Sequence, residues 1–119
     1  MATTSKAASR SLDQPDEHME KGGVQIDVVH LGDIKVKRAK YPPGWRFSKD
    51  MGADRCQDNH VGYVIDGEIH VVLDDGTELD TTAGDVFVVP AGHDAWSENG
   101  CTIVQFDEFD AAARRFGLA

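Results

Sequence analysis

Residues 60–67 read HVGYVIDG and residues 84–96 read GDVFVVPAGHDAW. Both segments are rich in β-branched and aromatic side chains and are closed by glycines, which is the pattern of short strands joined by tight turns. Working outward, the strand candidates are His60 to Asp66, Glu68 to Leu73, Val86 to Pro90 and Cys101 to Phe106. Asp66-Gly67 and Asp74-Asp75-Gly76 between them carry the residue types that tolerate the positive φ of a hairpin turn.

Upstream, VQIDVVHL (24–31) and IKVKRAKY (34–41) form a further strand pair around Leu31-Gly32-Asp33. The second of these alternates apolar with basic residues, as a half-exposed strand does. Residues 1–22 are rich in Ala, Ser, Thr and charge and have no apolar period, so they are expected to form a flexible arm. Residues 23–119 are then expected to form one domain, a size at which a single core is the rule. Only the segment from Asp107 to Phe116 reads as a helix, with acidic residues first, Arg114 and Arg115 last, and Gly117 as its stop. The predicted class is all-β, a sandwich or small barrel with one short C-terminal helix.

The 119 residues carry 21 acidic and 12 basic side chains, a net charge of −9. Such a surface repels phosphate backbones and anionic membranes, so neither nucleic acid nor membrane is an expected partner. Cys56 and Cys101 form neither a CxxC pair nor a disulfide framework. With no apolar run of signal-peptide or membrane-span length, a cytoplasmic protein is expected.

The two opening segments resemble the two halves of the cupin motif. The first half in cupins is a glycine, two histidines flanking one residue, a glutamate, and a strand ending in glycine; HVGYVIDG matches its second part. The second half is a glycine, five residues, Pro-x-Gly, two residues and a histidine; Gly84-DVFVV-Pro90-Ala91-Gly92 matches its first part. The resemblance covers roughly residues 40 to 106 and implies a jelly-roll (double-stranded β-helix) barrel. The chain is also similar to a group of small single-domain bacterial cupins with Cys-x-x-x-His-Val-Gly-Tyr-Val and Pro-x-Gly-His-Asp-Ala-Trp segments.

Cupin metal centres generally use three histidines and a glutamate, and here those positions differ. Registered on Gly67, His60 takes the glutamate position, Cys56 and Asp54 take the two histidine positions, and Ala95 takes the last. An iron or manganese dioxygenase mechanism therefore does not transfer. A different donor set remains: Asp54, Cys56 and His60 share a face if that stretch is extended, and His93 lies two residues before Ala95. Cys56, His60 and His93 suit a divalent metal, zinc before iron or nickel, with a fourth position open.

Plainer roles stand beside these. His60 also reads as a hydrogen-bonded barrel residue, Cys56 as a small buried apolar group, His93 as a solvent-facing loop residue and Asp54 as a solvated acid. Cys56 held as a thiolate by His60 would instead be a redox or nucleophilic group. Asp94 either orients His93 or caps the loop backbone. By alternation Trp96, Tyr63 and His70 face outward. His18 and His30 read as surface groups. The leading expectation is a cupin barrel binding a metal, a small polar ligand, or both, with no assigned catalysis. The alternatives are a metal-free, non-enzymatic sensor of small molecules and a purely structural barrel. Tyr63, Trp96 and the first strand offer a surface for a homodimer.

Overall fold

The computed structural model describes residues 7–32 and 34–106. Among the described residues nine strands and one short helix follow one another: β1 (Glu17–Lys21), β2 (Val24–Leu31), β3 (Ile34–Tyr41), β4 (Trp45–Arg46), α1 (Phe47–Asp50), β5 (His60–Leu73), β6 (Glu78–Thr82), β7 (Val86–Val89), β8 (His93–Ser97) and β9 (Cys101–Phe106). Every pairing is antiparallel, in the order β1-β2-β3-β9-β5-β8-β4, with β6 and β7 also on β5. The sheet curls into a jelly roll, the all-β class expected from the strand pattern.

Strand β5 organises the curl. Its first half pairs with β7 and β9, and its second half with β6 and β8. The change of partners falls at a register slip between Val64 and Asp66, followed by Gly67 at φ +80°. A Cβ there would meet the Gly100 carbonyl oxygen at 2.1 Å. Asp66-Gly67 is therefore no hairpin turn, as the sequence suggested, but a kink inside one continuous strand. Glycine serves a bulge and a turn for the same reason, a backbone angle that a side chain would forbid.

The N-terminal boundary also moves. Glu17–Lys21, assigned above to a flexible arm, pair in register with β2 from Glu17 opposite Val28 to Lys21 opposite Val24. All five side chains of β1 are exposed, so no apolar period marks the strand. Backbone pairing builds it instead, turning on Gly22 and Gly23, both at positive φ. Cross-strand pairs, His18 to Asp27 and His30 to Glu17, add to it on the surface. The expected helix from Asp107 to Phe116 lies outside the described residues.

Alternation sends one face of each strand inward. Cys101, Ile103 and Gln105 of β9 are buried while Phe106 is exposed, and Phe87 and Val89 of β7 are buried between exposed Val86 and Val88. Phe87, Val89, Cys101 and Ile103, with Val24, Ala39, Trp45, Val64, Ile69, Val71 and Ala95, form one core. Each Val, Ile or Phe so buried contributes about 1.5–3 kcal/mol. Gly62 of β5 lets the Phe87 ring cross the strand: a Cβ would lie 2.9 Å from Phe87 Cζ and 2.2 Å from the Val104 oxygen.

Candidate metal centre and cavity

Three separate segments bring Cys56, His60 and His93 together. Cys56 follows the bend after α1 and is fastened to the start of β8 by its backbone. Its N–H donates to the His93 carbonyl at 2.7 Å, and its own carbonyl accepts from the amides of Gly92 at 2.8 Å and His93 at 3.3 Å. Gly92, at φ +86°, makes the sharp entry into β8. His60 opens β5 opposite Val89. The ligand-capable atoms of the three residues all lie within 4.8 Å of one another.

Hydrogen bonds set how each imidazole faces. Nδ1 of His60 lies 2.7 Å from Oε1 of Gln105, and Nδ1 of His93 lies 2.8 Å from the Pro90 carbonyl oxygen. Carbonyl oxygens only accept, so both Nδ1 atoms carry the hydrogen and both Nε2 atoms present a lone pair. The Gln105 amide nitrogen donates to the Tyr41 hydroxyl at 3.4 Å, which fixes which end of the amide meets His60. The two rings stand edge to face, 5.2 Å between centroids. Burial, then the neighbouring His93, holds His60 below the ordinary imidazole pKa, so it is neutral near pH 7.

Burial also raises the Cys56 thiol above its usual value. Its S–H meets Nε2 of His60 at 3.4 Å, a neutral pair. A standing thiolate, the redox reading of the sequence, is therefore disfavoured in the protein alone. Cys101 is a second free, buried cysteine, its pKa pushed up to about 12 by burial.

The donor set fits a borderline divalent ion. Tetrahedral zinc at about 2.3 Å from sulfur and about 2.0 Å from nitrogen sets adjacent ligand atoms about 3.5 Å apart, close to the observed Cys56–His60 separation of 3.4 Å. Carbonyl acceptors behind both histidines are the outer contacts that hold ligating imidazoles in place.

The remaining candidates divide. Asp54 is exposed on the bend and does not join the cluster. Its segment is not extended, so the same-face argument fails there. His93, read as a loop residue that could face solvent, is only 3 % exposed. Asp94 does not orient His93. It is buried and accepts from the Ser48 amide and hydroxyl, the Ala95 amide and Arg46 Nε, at 2.8–3.0 Å. Ala95 faces inward as expected. Trp96 faces away, stacked on His70 with the Arg46 guanidinium 4.7 Å over its ring.

Gln105, Tyr41 and Asp58 also reach the site, and the sequence reading missed them. The signal for Gln105 was its inward parity with Cys101 and Ile103 on β9. Gln105, Tyr41 and Asp58 line a cavity of about 190 Å³ shared with the cluster. Most of its wall is hydrocarbon, and half-buried Lys37 and exposed Asp58 mark its polar rim.

A family model for the EutQ-like cupin domain matches residues 39–109. No curated protein matches the sequence. Among solved structures, an RmlC-like cupin from Shewanella frigidimarina is 23 % identical at a TM-score of 0.60, covering 90 % of this chain and 96 % of its own. A protein from Neisseria meningitidis is 19 % identical at 0.59, covering 84 % and 98 %. The ectoine synthase of P. lautus is 11 % identical at 0.67, covering 84 % and 76 %. At these identities the likeness is one of fold.

Proposed function

The chain belongs to the EutQ-like cupin family, and from that premise we propose that its barrel binds one divalent metal, zinc in preference to iron or nickel, together with a small molecule. Cys56 Sγ, His60 Nε2 and His93 Nε2 hold the ion. The observation that carries this reading is the clustering of these donors with both imidazoles already turned Nε2-inward by Gln105 and Pro90. Such an ion supplies Lewis-acid polarisation of an oxygen on the small molecule. The chain does the rest: Gln105 and Pro90 hold the rings, Cys56 is fixed by its backbone bonds to β8, and the apolar wall excludes water.

Metal analysis of untagged protein tests this. About one equivalent of metal is expected, falling at least tenfold in Cys56→Ser and His93→Ala. Less than about a tenth of an equivalent from zinc-supplemented cells overturns it.

A second reading, a metal-free sensor of small molecules, is favoured by one observation, the thiol–imidazole contact by which Cys56 and His60 satisfy each other without an ion. Thermal stabilisation by an organic ligand that is unchanged by zinc or chelator supports it.

The protein is proposed to act as a homodimer. The outer faces of β7, β5 and β9 expose Val86 at 76 %, Val88 at 52 %, and Tyr63, Ile65 and Phe106. Trp96, offered with Tyr63 as part of one surface by the sequence, lies on β8 in the other half of the curl, under Arg46.

A further inference from the structure

The size and wall of the cavity narrow what enters it. An apolar protein cavity of about 150 Å³ takes benzene. The space here is about 190 Å³, room for one ring and a small substituent. The rings of Tyr41, Trp45, Phe47 and Phe87 form much of the wall, with Val71 and Ile103.

The polar groups of that wall are mostly engaged within the protein. Thr81 donates to the Ile69 carbonyl, Gln105 spans His60 and Tyr41, and His93 Nδ1 is held by Pro90. A polyol, which needs a hydrogen-bond partner for every hydroxyl it brings, finds few here. Two hydrogens of the wall lack a protein acceptor. Trp45, only 4 % exposed, has a buried Nε1–H with no hydrogen-bond partner. What an indole N–H lacks is an acceptor, and a buried one without it is rare in folded proteins. The Tyr41 hydroxyl, receiving the Gln105 amide hydrogen, keeps its own hydrogen for another acceptor.

We infer that the cavity takes a single-ring aromatic oxygen acid, a benzoate or a phenol, with its ring against the aromatic wall and its oxygen toward Cys56, His60 and His93. Trp45 contributes its ring to that wall, its Nε1 being closed off from the open space. The oxygen end rests on the metal reading above; the ring end rests on the wall alone. Sugars, sugar acids and phosphate esters of similar size are excluded by the same wall.

The test uses the full chain carrying Trp96→Phe, which leaves Trp45 as the only tryptophan, since the chain has two. Benzoate, phenol, glucuronate and inorganic phosphate are titrated into zinc-loaded and chelated protein. Trp45 emission and calorimetry are read, and bound zinc is measured in the same samples. In zinc-loaded protein, benzoate and phenol should saturate, with dissociation constants at least about tenfold below that of glucuronate. Chelation should weaken benzoate by about tenfold or more without abolishing it. Ala95→Leu, which fills the cavity, should remove the response. Should that variant not fold, the milder Ala95→Val, read by calorimetry, should lose several-fold in benzoate affinity.

Glucuronate or phosphate binding as tightly as benzoate overturns the assignment. So does the absence of saturation by either aromatic while one equivalent of zinc is bound. If no zinc binds, it is the metal reading that fails, and the aromatic compounds must still saturate at the weaker level for the ring assignment to stand. Benzoate affinity unchanged by both Ala95 variants overturns the cavity as its site.

Discussion

Gln105 accepts the Nδ1 hydrogen of His60 at 2.7 Å, from a position 45 residues further along the chain. It ties the Cys56, His60 and His93 cluster to the aromatic wall, because its other end donates to Tyr41. Replacing it with leucine keeps the bulk but frees the imidazole to turn or change tautomer. Metal affinity is expected to fall about 10–100-fold, the usual effect of removing such a contact behind a ligating histidine. Competition with a chromogenic chelator measures it. An affinity within about twofold of wild type would show that the ring is held by packing instead.

Gly62 is expected to tolerate no side chain. The Cβ of Gly62→Ala collides with the Val104 oxygen and Phe87, and one of these is backbone that cannot step aside. The loss is put at about 1–3 kcal/mol, the range for overpacked cores, or a melting temperature lower by about 4–20 °C. A Gly62→Ala, Phe87→Leu double variant relieves the ring contact only and should recover part of it, as thermal unfolding would reveal.

Asp94 should make stability acid-sensitive. Burial alone would raise its pKa, but hydrogen bonds from Ser48 and Ala95 and the charge of Arg46 outweigh it, and the carboxyl is held below 3.8. A depressed folded pKa means stability present above the unfolded value and lost as pH falls through the folded one. Asp94→Asn should therefore be less stable at pH 7, by about 1.5–3 kcal/mol for charged hydrogen bonds given up. Its deficit should shrink below pH 4. A deficit constant between pH 3 and 7 in urea melts contradicts the charge-based account.

The exposed stripe on β7, β5 and β9 predicts that Val88→Lys shifts the protein from dimer to monomer while changing the stability of the protomer by no more than about 0.5 kcal/mol, as suits an outward-facing position. Light scattering at micromolar concentration decides it. A wild-type chain already monomeric there removes the dimer.

Much of this architecture is legible in the residue order wherever the information is local. Strands β2, β3 and β9 end where the alternation ends, and the Asp-Asp-Gly turn sits where a glycine at φ +89° is needed. Cys56, His60 and His93 could be picked out because the two glycine-closed segments register them against each other. What escaped depends on partners far along the chain. β6, ELDTT, has one buried residue in five and becomes a strand by lying on β5. β1 is wholly exposed and depends on β2. Gln105 looked like any polar residue until its strand was placed beside His60. Asp54 is the solvated acid of the plainer reading, because a face count holds only for extended backbone and its stretch is a bend.

The double membership of β5 has a consequence for synthesis. Cys56 and His60 leave the ribosome well before His93, and the strands that flank β5, namely β6 to β9, all follow it. During translation β5 waits as a long, apolar strand with both edges open, the state in which chains associate wrongly. Its pairing with β8 and β9 requires non-local closure, which is slow. Yield of folded protein should therefore depend on elongation speed and chaperone supply between Leu73 and Phe106 more than on any single contact in the finished barrel.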